Sequence, residues 1–199
     1  LMGIPGEKEL TGHGVSYCAT CDGAFYKNRT ATIIGGGDTA ISDALYLAKL
    51  CKQVYVVHRR DELRASAILA NAAKTAKNIT FIWNSVPEAF LGEKKLSGIR
   101  LKNRVTGEVS DLETDGAFVA VGIVPRTELF KDQLTLAANG SVETNMCMET
   151  SLKGVFAVGD VRNTPLRQVV TACADGARAA SAARRRRDFR FIGRAPMQE

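Results

Sequence analysis

The most constraining stretch of this chain is residues 30–58, where a short β-branched run, a glycine-rich turn, an apolar helical period and a second apolar run follow one another without a gap. Thr30-Ala31-Thr32-Ile33-Ile34 reads as a buried strand, Gly35 to Ala40 as a turn, and Gln53 to His58, carrying Val54, Val56 and Val57, as the next strand. Between them Ala40, Ile41, Ala44, Leu45, Leu47 and Ala48 recur at helical spacing. Strand, glycine turn, helix, strand is a βαβ unit, and it commits the region to a parallel sheet with a helical crossover.

The turn itself carries chemistry. Gly35-x-Gly37-x-x-Ala40 fits the dinucleotide fingerprint in its alanine form, with Gly36, Asp38 and Thr39 filling the intervening places. Gly35 permits the tight turn out of the strand, Gly37 lets the backbone approach a pyrophosphate, and Ala40 is small enough for helix and strand to pack. The helix then aims unpaired N–H groups and partial positive charge at the phosphates. Where NAD-binding folds place a carboxylate for the ribose, at the end of the second strand, this chain has His58, Arg59 and Arg60, with Arg64 one helical turn on. A carboxylate repels a 2′-phosphate, whereas guanidinium groups bind it through charge-assisted hydrogen bonds worth about 1.5–3 kcal/mol each. NADPH is therefore expected over NADH, against the plainer alternative of a solvated basic turn.

Of five cysteines, only Cys18 and Cys21 are close, in Cys18-Ala19-Thr20-Cys21-Asp22-Gly23. Such a pair can close a reversible disulfide, one thiol attacking a partner disulfide and the other resolving the mixed species. Zinc is the competing use, but it needs two further ligands, and neither a second CxxC nor a CxxH follows, so no metal is expected. Asp22 is a candidate general acid for the leaving thiolate, or else a solvated turn residue. Hydride does not readily attack a disulfide, so a dithiol beside an NADPH site implies a flavin relay.

Further along, residues 64–77 are alanine-rich and helical in pattern, and Ile79 to Trp83 continues the strands. Residues 86–115 alternate about a Thr106-Gly107 turn, as an antiparallel meander does. Phe118 to Gly122 reads as a buried strand ending before Pro125, which marks a module boundary; Gly154 to Gly159 reads as another strand, and Arg167 to about Arg186 as a helix. Cys51 and Cys173 fall on apolar helical faces and are expected in the core, as are Trp83 and the Met146-Cys147-Met148 segment, while His13 is expected in a loop.

The longest apolar run, Ala117 to Val124, is far short of the roughly twenty residues a membrane helix needs. No basic start with an apolar run opens the chain, and the sparse cysteines favour the cytosol. The net charge of +6 is concentrated at the end, where Arg184, Arg185, Arg186, Arg187, Arg190 and Arg194 face only Asp188 and Glu199. That speaks for a solvated tail and against a nucleic-acid-binding surface.

Taken together, Cys18-Ala-Thr-Cys21-Asp22-Gly23, Ile34-Gly-Gly-Gly37-Asp-Thr-Ala40, His58-Arg59-Arg60-Asp61 with Arg64, Val119-Ala-Val-Gly122 and Gly154-Val-Phe-Ala-Val-Gly159-Asp160-Val161 with Arg167-Gln168-Val169 resemble the low-molecular-weight thioredoxin reductases, over Leu1 to about Ala183. The resemblance implies electrons passing from NADPH to FAD, to a Cys18–Cys21 disulfide and on to thioredoxin. It implies Cys21 facing the flavin, Cys18 attacking thioredoxin and Asp22 as general acid. Gly122, Gly159 and Asp160 would be cofactor-binding, Asp160 on the flavin's ribityl chain, and Arg167, Gln168 and Val169 would open a helix facing the flavin ring. A cytoplasmic homodimer is implied as well. The expected fold class is α/β: a Rossmann-like NAD(P)-binding domain with a βαβ unit and an antiparallel meander over residues 1–125, plus the C-terminal part of a second, FAD-binding α/β domain over 126–199. Only one glycine fingerprint is present, so the chain is expected to be incomplete upstream and to lack the AMP half of an FAD site. Two other readings remain: an NADPH-binding dithiol fragment without a competent flavin site, and a related flavoprotein disulfide reductase serving a peroxiredoxin.

Overall fold

A computed structural model describes residues 1–185; the expectations for residues 186–199, most of the basic tail, lie outside the described residues. The chain divides into two compact units, the first Leu1–Gly122 and the second from Ile123. In order, the elements are α1 (Glu7–Leu10), β1 (Val15–Ser16), α2 (Ala19–Asp22), β2 (Thr30–Ile34), α3 (Asp38–Ala48), β3 (Gln53–Val57), α4 (Ala67–Thr75), β4 (Ile79–Ile82), β5 (Ser85–Leu91), β6 (Gly98–Asn103), β7 (Val109–Glu113), β8 (Gly116–Val119) and α5 (Val169–Arg185).

The first unit is α/β. Five parallel strands run in the order β1-β8-β2-β3-β4, and a separate antiparallel sheet runs β5-β6-β7. The period-2 alternation of the strands divides the core in two. Ala31, Ile33, Val54, Val56 and Phe118 join Ala40, Ile41, Ala44 and Leu47 of α3 on one face. Ile34, Val57, Ala117 and Val119 meet Phe90, Ile99 and Leu101 of the meander on the other. The parallel sheet is thus covered on both sides, as its apolar run requires. Because the strands are parallel, the carboxyl ends of β1, β2, β3, β4 and β8 lie along one edge, and the chain order reverses between β2 and β8. Ligands of open α/β sheets bind at such a switch point.

In the second unit, Gly154–Gly159 is not the expected strand. Among the described residues it makes only an isolated bridge, Glu149 to Phe156, and it ends in a 3-10 turn over Gly159–Val161. Its amides instead close short loops, Val155 N to Leu152 O and Ala157 N to Met148 O, while Val155 and Val158 stay exposed. Two further expectations are corrected. Cys173 is exposed on α5, whose buried residues are Asp175 and Ala183, and of Met146, Cys147 and Met148 only Met148 packs inside. Cys51 is buried as expected, its thiol pushed up to about 11 chiefly by burial. Trp83 is half-buried, its ring stacked on Phe81 with centroids 4.8 Å apart.

Candidate active site: a dithiol and a glycine cradle on one sheet edge

The dithiol leaves the carboxyl end of β1. Cys18 caps α2 and is disulfide-bonded to Cys21, with Cα atoms 5.2 Å apart. Its sulfur also accepts the Cys21 amide at 3.2 Å and lies 3.4 Å from the Thr20 hydroxyl. Cys21 is exposed and Cys18 half-buried. The pair is held from below by a residue that the sequence reading passed over. Ser16, buried at the end of β1, donates its hydroxyl to Asp22 Oδ2 at 2.7 Å and accepts the Cys18 amide at 3.1 Å. The second contact is a local turn of the kind a hydroxyl two residues ahead of an amide supplies, the one signal by which Ser16 could have been found.

A second overlooked residue is Glu7, buried in α1. Its carboxylate accepts the Met2 amide (2.8 Å), the Gly3 amide (2.7 Å) and the hydroxyl of Tyr17 (2.8 Å), the residue just before the dithiol. Burial pushes the Glu7 carboxyl up, but those three donors outweigh it and hold it below the ordinary carboxylate range.

The glycine turn leaves the carboxyl end of β2, and its three glycines meet different surroundings. Gly35 sits at φ 150°, and a Cβ there would overlap the Ala120 carbonyl and lie 2.9 Å from Ala40 Cβ. A Cβ on Gly36 would overlap the His58 imidazole. A Cβ on Gly37 would meet nothing within 4 Å. Gly37 therefore has no neighbour among the described residues that requires a bare backbone. It also caps α3 without a side chain, so the first amides of this 11-residue helix face outward. Asp38 and Thr39 are exposed; Asp38 Oδ1 accepts the Ser66 amide at 2.7 Å, tying the start of α3 to α4, and Ala40 is fully buried against β2.

The chain beyond β3 returns to this turn. The amides of Arg64 and Ala65 donate to the Gly36 carbonyl at 2.7 and 3.1 Å. Arg59, Arg60 and Arg64 are exposed, and among the described residues no carboxylate pairs with them. His58 is separated from them: it is 5% exposed, packed beneath Gly36, and its Nε2 has no partner. Burial holds the imidazole below its ordinary range, with the charges of Arg59, Arg60 and Arg64 adding to it and a backbone hydrogen bond at Glu62 opposing. Gly122, beyond β8 on the same edge, is exposed at φ 108° with open space around it.

In the second unit Asp160 is exposed, while Gly159, at φ 72°, donates its amide to Asp175 Oδ2 at 3.2 Å. Asp175 is buried and ion-paired to Arg162 at 2.7 Å; that hydrogen bond, foremost, keeps the carboxyl low. Arg167 and Gln168 are half-buried just ahead of α5, Arg167 with a buried, unpartnered Nε, and Val169 at the helix start is 80% exposed.

The pyridine nucleotide-disulphide oxidoreductase family profile matches residues 1–176. A thioredoxin reductase of Peptoclostridium acidaminophilum is 48% identical over 189 residues, covering 92% of this chain and 60% of the relative. That of Bacillus subtilis is 45% identical, covering 90% of this chain and 57% of the relative. The crystal structure of thioredoxin reductase from Streptococcus pyogenes superposes with a TM-score of 0.85 at 44% identity, over 92% of this chain and 60% of that one. The chain thus spans about 60% of the length of the relatives it matches.

Proposed function

Because the chain belongs to the pyridine nucleotide-disulphide oxidoreductases, we propose that it works as an NADPH-dependent thioredoxin-disulfide reductase. The observation that carries this reading is the juxtaposition, on one sheet edge, of a closed Cys18–Cys21 disulfide and a glycine cradle flanked by free guanidinium groups. Gly35, Gly36, Gly37, Asp38, Thr39 and Ala40 form the cradle for the pyrophosphate. Arg59, Arg60 and Arg64 bind the 2′-phosphate, and His58 holds the turn from beneath. Reduction of the disulfide consumes two electrons and two protons. Asp22, whose carboxylate accepts the Ser16 hydroxyl, is the residue assigned to supply one of those protons. Cys18 then attacks the disulfide of thioredoxin, and Cys21 resolves the mixed disulfide, returning the pair to its closed form with the partner reduced.

FAD, when bound, supplies the two-electron relay that a hydride donor and a disulfide lack between them. The residues that would hold its flavin and ribityl portion are Asp160, Arg167, Gln168 and Val169, with Gly122 and Gly159 as further cofactor-binding residues. The orphaned Nε of Arg167 and the open start of α5 fit a polar ligand there. The family likeness adds a cytoplasmic homodimer. No helix among the described residues is long and apolar enough to cross a membrane. The free arginines after β3 favour NADPH, and hence thioredoxin over a peroxiredoxin partner served from NADH.

One observation favours a second reading, an NADPH-binding dithiol chain without a competent flavin site: among the described residues a single strand, glycine turn and helix forms a nucleotide cradle. Purified chain supplied with FAD separates the two. A flavin absorbance band, bleached by NADPH and restored by thioredoxin, supports the reductase, and Cys18→Ser or Cys21→Ser must abolish the turnover. Turnover retained in either variant refutes the dithiol step. A colourless chain that still binds adenosine 2′,5′-bisphosphate establishes the second reading instead.

A further inference from the structure

Resting on the NADPH reading above, we propose that Arg104, distant in sequence from every nucleotide-binding motif, is a fourth guanidinium of the 2′-phosphate site and a determinant of the preference for the phosphorylated cofactor. The first unit brings it there by a backbone relay. β4 runs beside β3, so its carboxyl end, Trp83-Asn84, emerges next to His58-Arg59-Arg60. Asn84 turns the chain at φ 54°, and its amide donates to the Arg60 carbonyl at 3.1 Å. The Asn84 carbonyl in turn accepts the Arg104 amide at 2.7 Å. Arg104 follows β6, at the turn into β7, and its Nη1 reaches back to 3.5 Å from the Arg59 carbonyl.

Three segments, the end of β3, the β4–β5 turn and the β6–β7 turn, are thereby stitched together with Arg59, Arg60 and Arg104 at the seam. Arg104 is exposed, and among the described residues it has no carboxylate partner, nor do Arg59, Arg60 and Arg64. Exposed cations carried on adjoining segments favour an anion between them, because like charges repel and an anion offsets that repulsion. An anion is also the ligand that a guanidinium fork is shaped to hold. The geometry therefore points to a dianionic phosphate reached from two sides, by Arg59 and Arg60 from the loop after β3 and by Arg104 from the meander.

The test is calorimetric titration of the full chain with adenosine 2′,5′-bisphosphate and, in parallel, with 5′-AMP, which lacks the 2′-phosphate. Arg104→Ala is expected to weaken the bisphosphate about fivefold to tenfold, the effect of one partly exposed charge-assisted hydrogen bond. It should leave 5′-AMP within about twofold and flatten the salt dependence of the bisphosphate. Arg104→Lys should recover part of the loss. Equal weakening of both nucleotides would mean that Arg104 merely braces the Arg59 carbonyl, and would overturn the proposal, as would an unchanged affinity for the bisphosphate. The control is Arg59→Ala with Arg60→Ala. If that double variant abolishes the preference while Arg104→Ala is silent, Arg104 alone is refuted. If the double variant also retains the preference, the NADPH reading fails with it.

Discussion

Two adjacent glycines, exchanged one at a time for alanine, separate what the fold demands of the turn from what a nucleotide demands. Neither Gly36 nor Gly37 has a positive φ, so alanine is allowed on backbone grounds at both. At Gly36 the new methyl overlaps the His58 ring, with Cγ at 2.6 Å. That ring is itself buried, 5% exposed. Overpacking of this kind costs about 1–3 kcal/mol. Lost flexibility of the unfolded chain returns about 0.4–1 kcal/mol, which leaves a net loss of about 1–2 kcal/mol. At Gly37 no atom lies within 4 Å of the methyl. The same gain from the unfolded chain is offset by alanine's poorer performance at a helix N-cap, so the net is close to zero. Thermal unfolding of the two variants should therefore differ by about 3–10 °C, Gly36→Ala melting first. Affinity should run the other way. On the proposed function a methyl at Gly37 stands where the pyrophosphate must approach, and lengthening one or two charge-assisted hydrogen bonds costs about 1.5–3 kcal/mol, roughly ten- to a hundredfold in binding of NADP+. Adding His58→Ala to Gly36→Ala removes the overlap, so the pair should be less than additive by about 1 kcal/mol. Gly36→Ala melting with the wild type, or Gly37→Ala binding with wild-type affinity, would refute the division of labour.

Two further outcomes are expected. Asp175→Asn removes the buried charge that pairs with half-buried Arg162 and weakens the acceptor for the Gly159 amide. Breaking a buried pair costs about 3 kcal/mol, and hydrogen exchange should show the Gly159 amide opening faster, where unchanged protection would remove the pair from any role in shaping this loop. The depressed imidazole of His58 gives a pH dependence with a definite sign. The folded chain binds this proton less readily than the unfolded chain, so the stability from burying a neutral ring is complete above about pH 6.5 and is lost as the pH falls through the folded value. Glu7 and Asp175 are also held low, but from ordinary values of 4.5 and 3.8, so their losses begin only in stronger acid. The melting temperature should thus fall between about pH 7 and pH 5, and His58→Gln should flatten the fall; an equal slope in that variant would assign it elsewhere.

The parts of the fold legible in the sequence were those in which a residue's neighbours along the chain are also its neighbours in space. The period of Ala40, Ile41, Ala44 and Leu47 is the buried face of α3, and the alternation about Thr106-Gly107 is the β6–β7 hairpin. Gly154–Gly159 shows the limit of that argument. Apolarity can be read from one segment, but a ladder needs a second, and here only Phe156 finds a bridge. Among the described residues the run has no adjacent strand, and no local pattern encodes that. Cys173 fails for a related reason, since the helical period marks a stripe but not whether anything packs on it.

The candidate site divides along the same line, and most clearly at His58, Arg59 and Arg60. As a tripeptide they read as one basic selector. In space the strand's alternation carries one step beyond Val57, so His58 turns inward to fill the place of the missing Gly36 side chain while the arginines turn out. A glycine at 36 and a bulky ring at 58 are then two halves of one packing decision, made 22 positions apart by β2 and β3 lying in parallel register. The same register argument places Arg104: nothing near it in the chain marks a nucleotide site, but β4 beside β3 and the meander beyond β4 bring it to the carbonyl of Arg59. Residues that hold a ligand directly tend to sit in short motifs because one turn must present them together. Residues that hold the motif in place need only be near it, and any strand of the sheet can supply them.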